Sequence, residues 1–455
     1  MFARRTRGTD SCAHAPMLRP IRYGIWVHRP DGRGGSASAR TISAVIDYKG
    51  TGMDRMVNDG GKMTLRQWLP LIGLACSAFV FNTSEFMPIG LLTDIGSTFG
   101  LTEAGTGVMI TAYAWAVMLL SLPLMVIASR VEFKRLLLFV IALFASGQFL
   151  SAAAPTYLVL VLARLVVACA HAVFWSVVAV IATRLVDVEH GPLAISMVST
   201  GTAVAQIFGL PLGRAIGLLV GWRLTFACVG TVALVLVAYV AVVFPALAAG
   251  EPFDPRRVPL LFRNRLLVGI YAVTVLYATA YYTGYSYIEP FLAQVAGLPA
   301  GDITFALMVF GVAGLLASLI CTRWYDGHRL GFIGFSVVGV AAVLLLMRPF
   351  AGVTLVAMLA PFVIWGACNT IFSVGFQAEL IRCTREDDAA VAMSIFSGIF
   401  NLGIGGGTAL GGAAVGALGI GSIGVVGGAI GAAAMVTCEL FLLRPLRSRR
   451  MRENG

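Results

Sequence analysis

Twelve times between residues 68 and 443 this chain stays apolar for the length of a membrane crossing. The runs fall at 68–92, 104–128, 135–153, 157–184, 192–219, 223–247, 265–292, 302–322, 330–347, 352–378, 389–416 and 420–443. A bilayer's hydrocarbon core is about 30 Å thick and takes roughly 20 residues of helix. Oil offers the backbone no hydrogen-bonding partner, so each run must satisfy its own amides as a helix. The sequence therefore predicts an all-α membrane protein with twelve transmembrane helices. A soluble globule is excluded, since only 12% of residues are charged, against about 25% in water-soluble domains.

The formal net charge of +11 raises the question of nucleic acid, and the placement of the charges answers it. Tails and alternate connectors after residue 62 carry 18 basic residues, among them Arg66, Arg130, Lys134, Arg184, Arg263, Arg329, Arg382 and Arg447, while the opposite connectors carry only Arg223 and Arg348. Cytoplasmic loops hold the excess of Lys and Arg, so both termini are expected in the cytoplasm and no nucleic-acid partner is needed. The eight cysteines are scattered and show neither disulfide pairing nor metal-ligand spacing; no metal or cofactor is expected. No G-x-x-x-x-G-K-[ST] phosphate loop and no H-E-x-x-H occurs, so the sequence predicts no enzyme, and uphill transport would borrow an ion gradient.

Residues 1–62 are Arg-rich, broken by Pro16, Pro20 and Pro30, and read as a disordered extension. Met53, Met56 and Met63 lie just before the first apolar run as alternative starts. The linker 248–264 is rich in proline and charge and divides the helices into halves at 63–247 and 265–443, with a tail at 444–455. Glu85 with Pro88 in the first span and Glu289 with Pro290 in the seventh read as equivalent features of a parallel repeat, the kind that frames a midplane site in secondary transporters.

Ionisable groups at bilayer depth cost about 2.5–3.5 kcal/mol on insertion scales, so each needs a partner, a wet cavity or a task. Glu85 reads as a carboxylate that takes a proton from outside and releases it inside, or else as the structural partner of an arginine. Pro88 frees a backbone carbonyl beside it and loosens the helix. Arg164 and His171, seven residues apart, share one helix face. His171, followed by Trp175, reads as cavity-lining. Arg164 is expected to hold a carboxylate, and Arg214 to be a second, structural-electrostatic charge. For Glu289 gating and simple interfacial placement stay open; Tyr281, Tyr282, Tyr285 and Tyr287 form either an aromatic belt or a set of stacking hydroxyl donors. Trp365 and Asn369 in the tenth span and Asn401 in the eleventh suit a neutral hydroxylated ligand better than an ion; for Asn401, simple bonding between helices stays equally open.

At these residues the chain resembles the major facilitator superfamily, and within it the drug:proton antiporter-1 family. Gly201 followed by Gly209-Leu210-Pro211-Leu212-Gly213 looks like that family's antiporter motif, continued by Gly221-Trp222-Arg223 and Phe226. Arg164 occupies the position of the family's fourth-helix arginine, which the resemblance ties to proton coupling. The loop Ser129-Arg130-Val131-Glu132-Phe133-Lys134-Arg135 departs from the family pattern, so the family's switch role is not carried onto it. The stretches Thr83-Ser84-Glu85-Phe86-Met87-Pro88, Ala170-His171-Ala172-Val173-Phe174-Trp175, Tyr285-Ser286-Tyr287-Ile288-Glu289-Pro290 and Phe396-Ser397-Gly398-Ile399-Phe400-Asn401 resemble bacterial sugar efflux transporters of the SotB type. The resemblance implies a monomeric, multi-pass carrier in a bacterial inner membrane, working between lipid, protons and a small sugar: arabinose-like sugars, lactose-like glycosides or thiogalactosides. Glu85, His171 and Arg164 are then the coupling candidates, and Trp175, Tyr285, Glu289, Trp365 and Asn369 the solute contacts. The alternative cargo is a drug or a purine nucleoside.

Overall fold

The computed structural model describes residues 63–128, 130–249, 258–385 and 388–448. The expected disordered extension, the middle of the linker and the end of the tail lie outside the described residues. In chain order the helices are α1 (Leu65–Gly90), α2 (Leu92–Phe99), α3 (Glu103–Ala128), α4 (Phe133–Ala153), α5 (Tyr157–Arg184), α6 (Gly191–Val243), α7 (Val258–Leu261), α8 (Arg265–Tyr285), α9 (Ile288–Gln294), α10 (Ala300–Phe350), α11 (Leu355–Arg382), α12 (Ala389–Leu418) and α13 (Ile423–Cys438).

Two of these are too long for one crossing. The 53 residues of α6 and 51 of α10 would each reach about 75–80 Å at 1.5 Å per residue, more than twice the hydrocarbon core. Each turns back at a kink. Gly221 has φ 83° and ψ 157°, a left-handed backbone open to a residue without Cβ, and His328 leaves helical geometry at φ −127° and ψ 28°. With these two divided, the ten apolar stretches long enough to span give twelve crossings among the described residues. An even number sets residues 65 and 443 on one membrane face, here termed the terminus face; the opposite one is the distal face.

Six crossings form each half. α1 packs on α6, α3 and α4 on α5; in the second half α8 packs on α12 and α13, and α10 on α11 and α13. The halves meet along α3–α12 and α6–α10. Lipid tails are as apolar as leucine, so close approach through small residues holds such a seam. At Gly311 of α10 a Cβ would stand 2.5 Å from the Ile207 carbonyl oxygen of α6. Pro211, four residues on, has no N–H for that carbonyl, which leaves it facing the glycine backbone.

The repeat is visible in the backbone, in a register different from the one expected. Leu91 breaks α1 from α2 at φ −118° and ψ 13°, and Tyr287 breaks α8 from α9 at φ −116° and ψ 17°. Superimposing these breaks puts Thr93 opposite Glu289 and Glu85 opposite Tyr281. The pairing of Glu85-Pro88 with Glu289-Pro290 is therefore incorrect: the first pair lies inside α1, the second beyond the break on α9. A carboxylate near a proline recurs in both halves, but backbone geometry sets equivalence. Likewise Thr156 and Thr354 cap α5 and α11 through the amides of Val159 and Ala357, which puts Arg164 and His171 opposite Phe362 and Asn369.

Gly311→Leu should destabilise the folded protein by about 1–3 kcal/mol, the usual cost of overpacking, whereas Val312→Leu, at a position 41% exposed to lipid, should not. Thermal unfolding of the two variants in detergent checks this.

Candidate transport site

α1 carries Glu85 into the protein six residues before its break, and α5 brings His171 to it, Nε2 lying 3.7 Å from the Glu85 carboxylate. Arg164, two turns away on the same face of α5, is only 2% exposed. Its hydrogen bonds differ from those expected. Nη1 donates to Ser84 Oγ at 3.1 Å and Nη2 to the Ser84 carbonyl at 2.9 Å, and its guanidinium lies 4.6 Å over the Tyr113 ring. It grips the α1 backbone next to Glu85 rather than a carboxylate. Glu85, Tyr113 and Arg164 line one cavity with Tyr282 of α8 and Ile404 of α12, so charge from one half faces aromatic and apolar surface from the other. His171 Nδ1 and the Tyr113 hydroxyl are buried without a hydrogen-bonding partner among the described residues. Trp175, half-buried, stays beside His171 with ring centres 6.0 Å apart.

The second half places neutral groups at the matching positions. Trp365 is 0% exposed and packs edge-on against Tyr281 and Tyr285 at 5.5 and 5.8 Å, with Phe310 and Phe362 around it. Its indole Nε1, the Tyr277 hydroxyl and the Asn401 Oδ1 are buried and unpartnered. Asn369, one turn beyond Trp365, is half-buried. Where the first half has Glu85, Arg164 and His171, the second has Tyr281, Phe362 and Asn369.

Glu289 and Arg214 form a separate site. Glu289, 3% exposed, takes an ion pair from Arg214 at 2.9 Å and a hydrogen bond from the Thr93 hydroxyl at 2.6 Å. Arg214 also donates to the Gly90 carbonyl at 2.8 Å. The structure thus brings Glu289 to the distal seam rather than to Trp365 and Tyr285. Three further contacts close that end: Gln294 donates to Glu103 at 2.6 Å, Thr111 to the Gly405 carbonyl at 3.3 Å, and the Tyr287 ring sits among Gly107, Gly411 and Gly412, where a Cβ would strike it. At the terminus face the bonds among the described residues stay within one half: Leu247 N donates to Glu132, and Arg329 forks onto the buried Glu379 at 2.8 and 2.7 Å. This conformation is sealed at the distal face.

Ser84, Gln148, Tyr113, Thr93 and Glu379 escape a reading by sequence. Only Gln148, a lone amide in an apolar run, carries a signal; for the others function lies in what tertiary packing sets beside them.

This architecture matches that of known transporters. The sequence profile of the Major Facilitator Superfamily matches residues 74–378 and again 270–454, and the chain belongs to that superfamily. A bacterial homologue of the human lysosomal transporter Spinster, solved inward-facing and unoccupied, superimposes with a TM-score of 0.68 at 15% identity, covering 84% of this chain and 98% of that one. A POT family transporter in complex with 5-aminolevulinic acid gives 0.67 at 9% identity over 82% and 96%. The human organic anion transporter MFSD10 (TETRAN) gives 0.61 at 10% over 83% and 100%. At such identities the likeness is one of fold. The chain is a multi-pass membrane transporter that works by alternating access.

Breaking a buried ion pair costs about 3–5 kcal/mol, close to the roughly 5.5 that inverts a two-state population. Glu289→Gln should therefore open the distal face. Spin labels at Asp94→Cys and Ala300→Cys should report a longer distance in that variant, and the swap Arg214→Glu with Glu289→Arg should partly restore the shorter one.

Proposed function

We propose that this protein is a proton-coupled exporter of neutral sugars in a bacterial inner membrane, of the drug:proton antiporter-1 type and similar to SotB carriers, with the Arg-rich terminus face in the cytoplasm. The observation that carries this reading is the contrast between equivalent positions. In the first half Glu85 and Arg164 line the cavity, with His171 against Glu85; at the positions equivalent to Glu85 and His171 the second half has Tyr281 and Asn369, and Trp365 packs against Tyr281. A titrating carboxylate belongs to the coupling ion. Unpaired indole, phenol and amide groups among aromatic faces suit a hydroxylated, uncharged solute, because each can trade its missing partner for a sugar hydroxyl.

The cycle follows from charge. Sugar enters from the cytoplasm while the distal seam is shut and Glu85 is ionised. Outward rocking of the halves exposes the cavity, Glu85 takes a proton, the sugar leaves, and the neutral carrier returns. Moving one charge through about 150 mV releases roughly 3.5 kcal/mol, worth about two and a half decades of solute gradient. One proton per cycle suffices.

If sugar binds only the ionised form, linkage fixes the sign: binding displaces a proton, so affinity weakens about tenfold per pH unit below the Glu85 midpoint and is flat above it. Glu85→Gln, which fixes the site in the uncharged form, should abolish export driven by a pH gradient, weaken sugar binding and counterflow at every pH, and lose the pH dependence of binding. Trp365→Ala should instead raise the half-saturating sugar concentration about tenfold or more, leaving the pH midpoint unmoved. Proteoliposomes tested with arabinose, lactose, a thiogalactoside, a purine nucleoside and a lipophilic cation check both the coupling and the cargo.

A further inference from the structure

The ring of Pro88 removes the N–H that would bond the carbonyl four residues earlier, and that carbonyl belongs to Ser84. Inside a membrane protein such an oxygen must find another donor, and Arg164 Nη2 supplies it at 2.9 Å. The Ser84 hydroxyl takes Arg164 Nη1 at 3.1 Å and the Gln148 side-chain amide as well. Gln148 and Arg164 are both buried, so three donors from α4 and α5 converge on the residue that precedes Glu85.

The other half supplies an internal control. Superposition of the breaks puts Gly284, which has an N–H, where α1 has Pro88, and superposition of the helix caps puts Phe362 where α5 has Arg164. Proline and arginine are absent together. Where no carbonyl is orphaned, no guanidinium answers it.

We propose that Pro88, Ser84 and Arg164 act as one unit in which Arg164 stands in for the backbone donor that Pro88 lacks, with Gln148 fixing the Ser84 hydroxyl. All three are positioning residues for Glu85. A buried positive charge is thereby fastened to the backbone one residue from the carboxylate, and any change in the bend of α1 moves the two charges relative to each other. The groups facing Glu85 are His171 and Arg164 from α5, Tyr113 from α3 and Tyr282 from α8; on α6, Arg214 is taken up by Glu289 and Gly90. Among them Arg164 alone bonds to the Ser84 carbonyl that Pro88 leaves without an amide; Arg214 bonds Gly90, past the proline. The second step, the link to proton uptake, rests on the reading of Glu85 as the coupling group; the carbonyl substitution does not.

Two measurements separate these steps. The first is thermal unfolding in detergent of Arg164→Met, Arg164→Gln, Pro88→Ala and the double variant Pro88→Ala/Arg164→Met. Arg164→Met should lower the midpoint, Arg164→Gln, which keeps a donor, should lower it less, and Pro88→Ala should restore the Arg164→Met protein, since alanine returns the N–H to Ser84. Should Arg164→Met fail to fold, the double variant must still fold; a double variant no better than Arg164→Met overturns the proposal. The second is the pH midpoint of the Glu85 carboxyl infrared band, identified by its loss in Glu85→Gln. Pro88→Ala, which leaves every ionisable group in place, should shift that midpoint by half a unit or more. An unmoved midpoint would overturn the positional link. If no such band titrates in the wild type, the coupling reading fails and the link to proton uptake with it, while the unfolding series still decides the carbonyl substitution.

Discussion

A backbone carbonyl in oil has nowhere to turn but to the protein, and the transporter is arranged around that constraint. It forces helices wherever the chain crosses, and at each proline it leaves an oxygen seeking a donor. α1 answers with a guanidinium at Ser84, and α6 answers at Ile207 with the bare backbone of Gly311 from the opposite half. The first answer puts a positive charge beside Glu85. The second lets the two halves touch without a side chain between them, at a seam that has to shear.

The same economy explains the distal closure. Arg214 and Glu289 are both buried, and an isolated charge at that depth would be expensive, so each is tied to a second group: Arg214 to the Gly90 carbonyl, Glu289 to the Thr93 hydroxyl. Thr93 and Glu289 occupy equivalent places after the Leu91 and Tyr287 breaks, so the seal lies where the repeat brings its own counterparts together. Tyr287 adds a ring that only glycines admit. Such a closure is strong while the halves meet and leaves charged groups unsatisfied once they part, which makes it a switch between states rather than a weld.

Much of the fold was legible because its signal is one-dimensional. Twelve runs of apolar residues locate twelve crossings, Gly221 and the polar stretch around His328 mark the turns inside α6 and α10, and the polar threonines and asparagine at 156, 354 and 264 mark helix starts. Site residues were legible in type and less so in partnership. Glu85 and His171 stand out by rarity and depth, but only the packing of α1 on α5 sets one beside the other. An arginine in oil suggests an acid as its partner, yet Arg164 bonds to Ser84, where proline leaves a carbonyl without its amide. Glu289 lies four residues from Tyr285 in sequence, yet the break at Tyr287 carries it to the seam and to Arg214.

The sequence by itself determined that this chain crosses a bilayer, how many times, and which few side chains carry costly polarity into it, since hydropathy and helix length act residue by residue. Tertiary structure alone decided the register of the repeat, the partner of each buried charge and which residues of the two halves face each other across the cavity. Those depend on where separate helices meet, and a shift of one or two turns along a helix reassigns every contact without changing the composition that the sequence reveals.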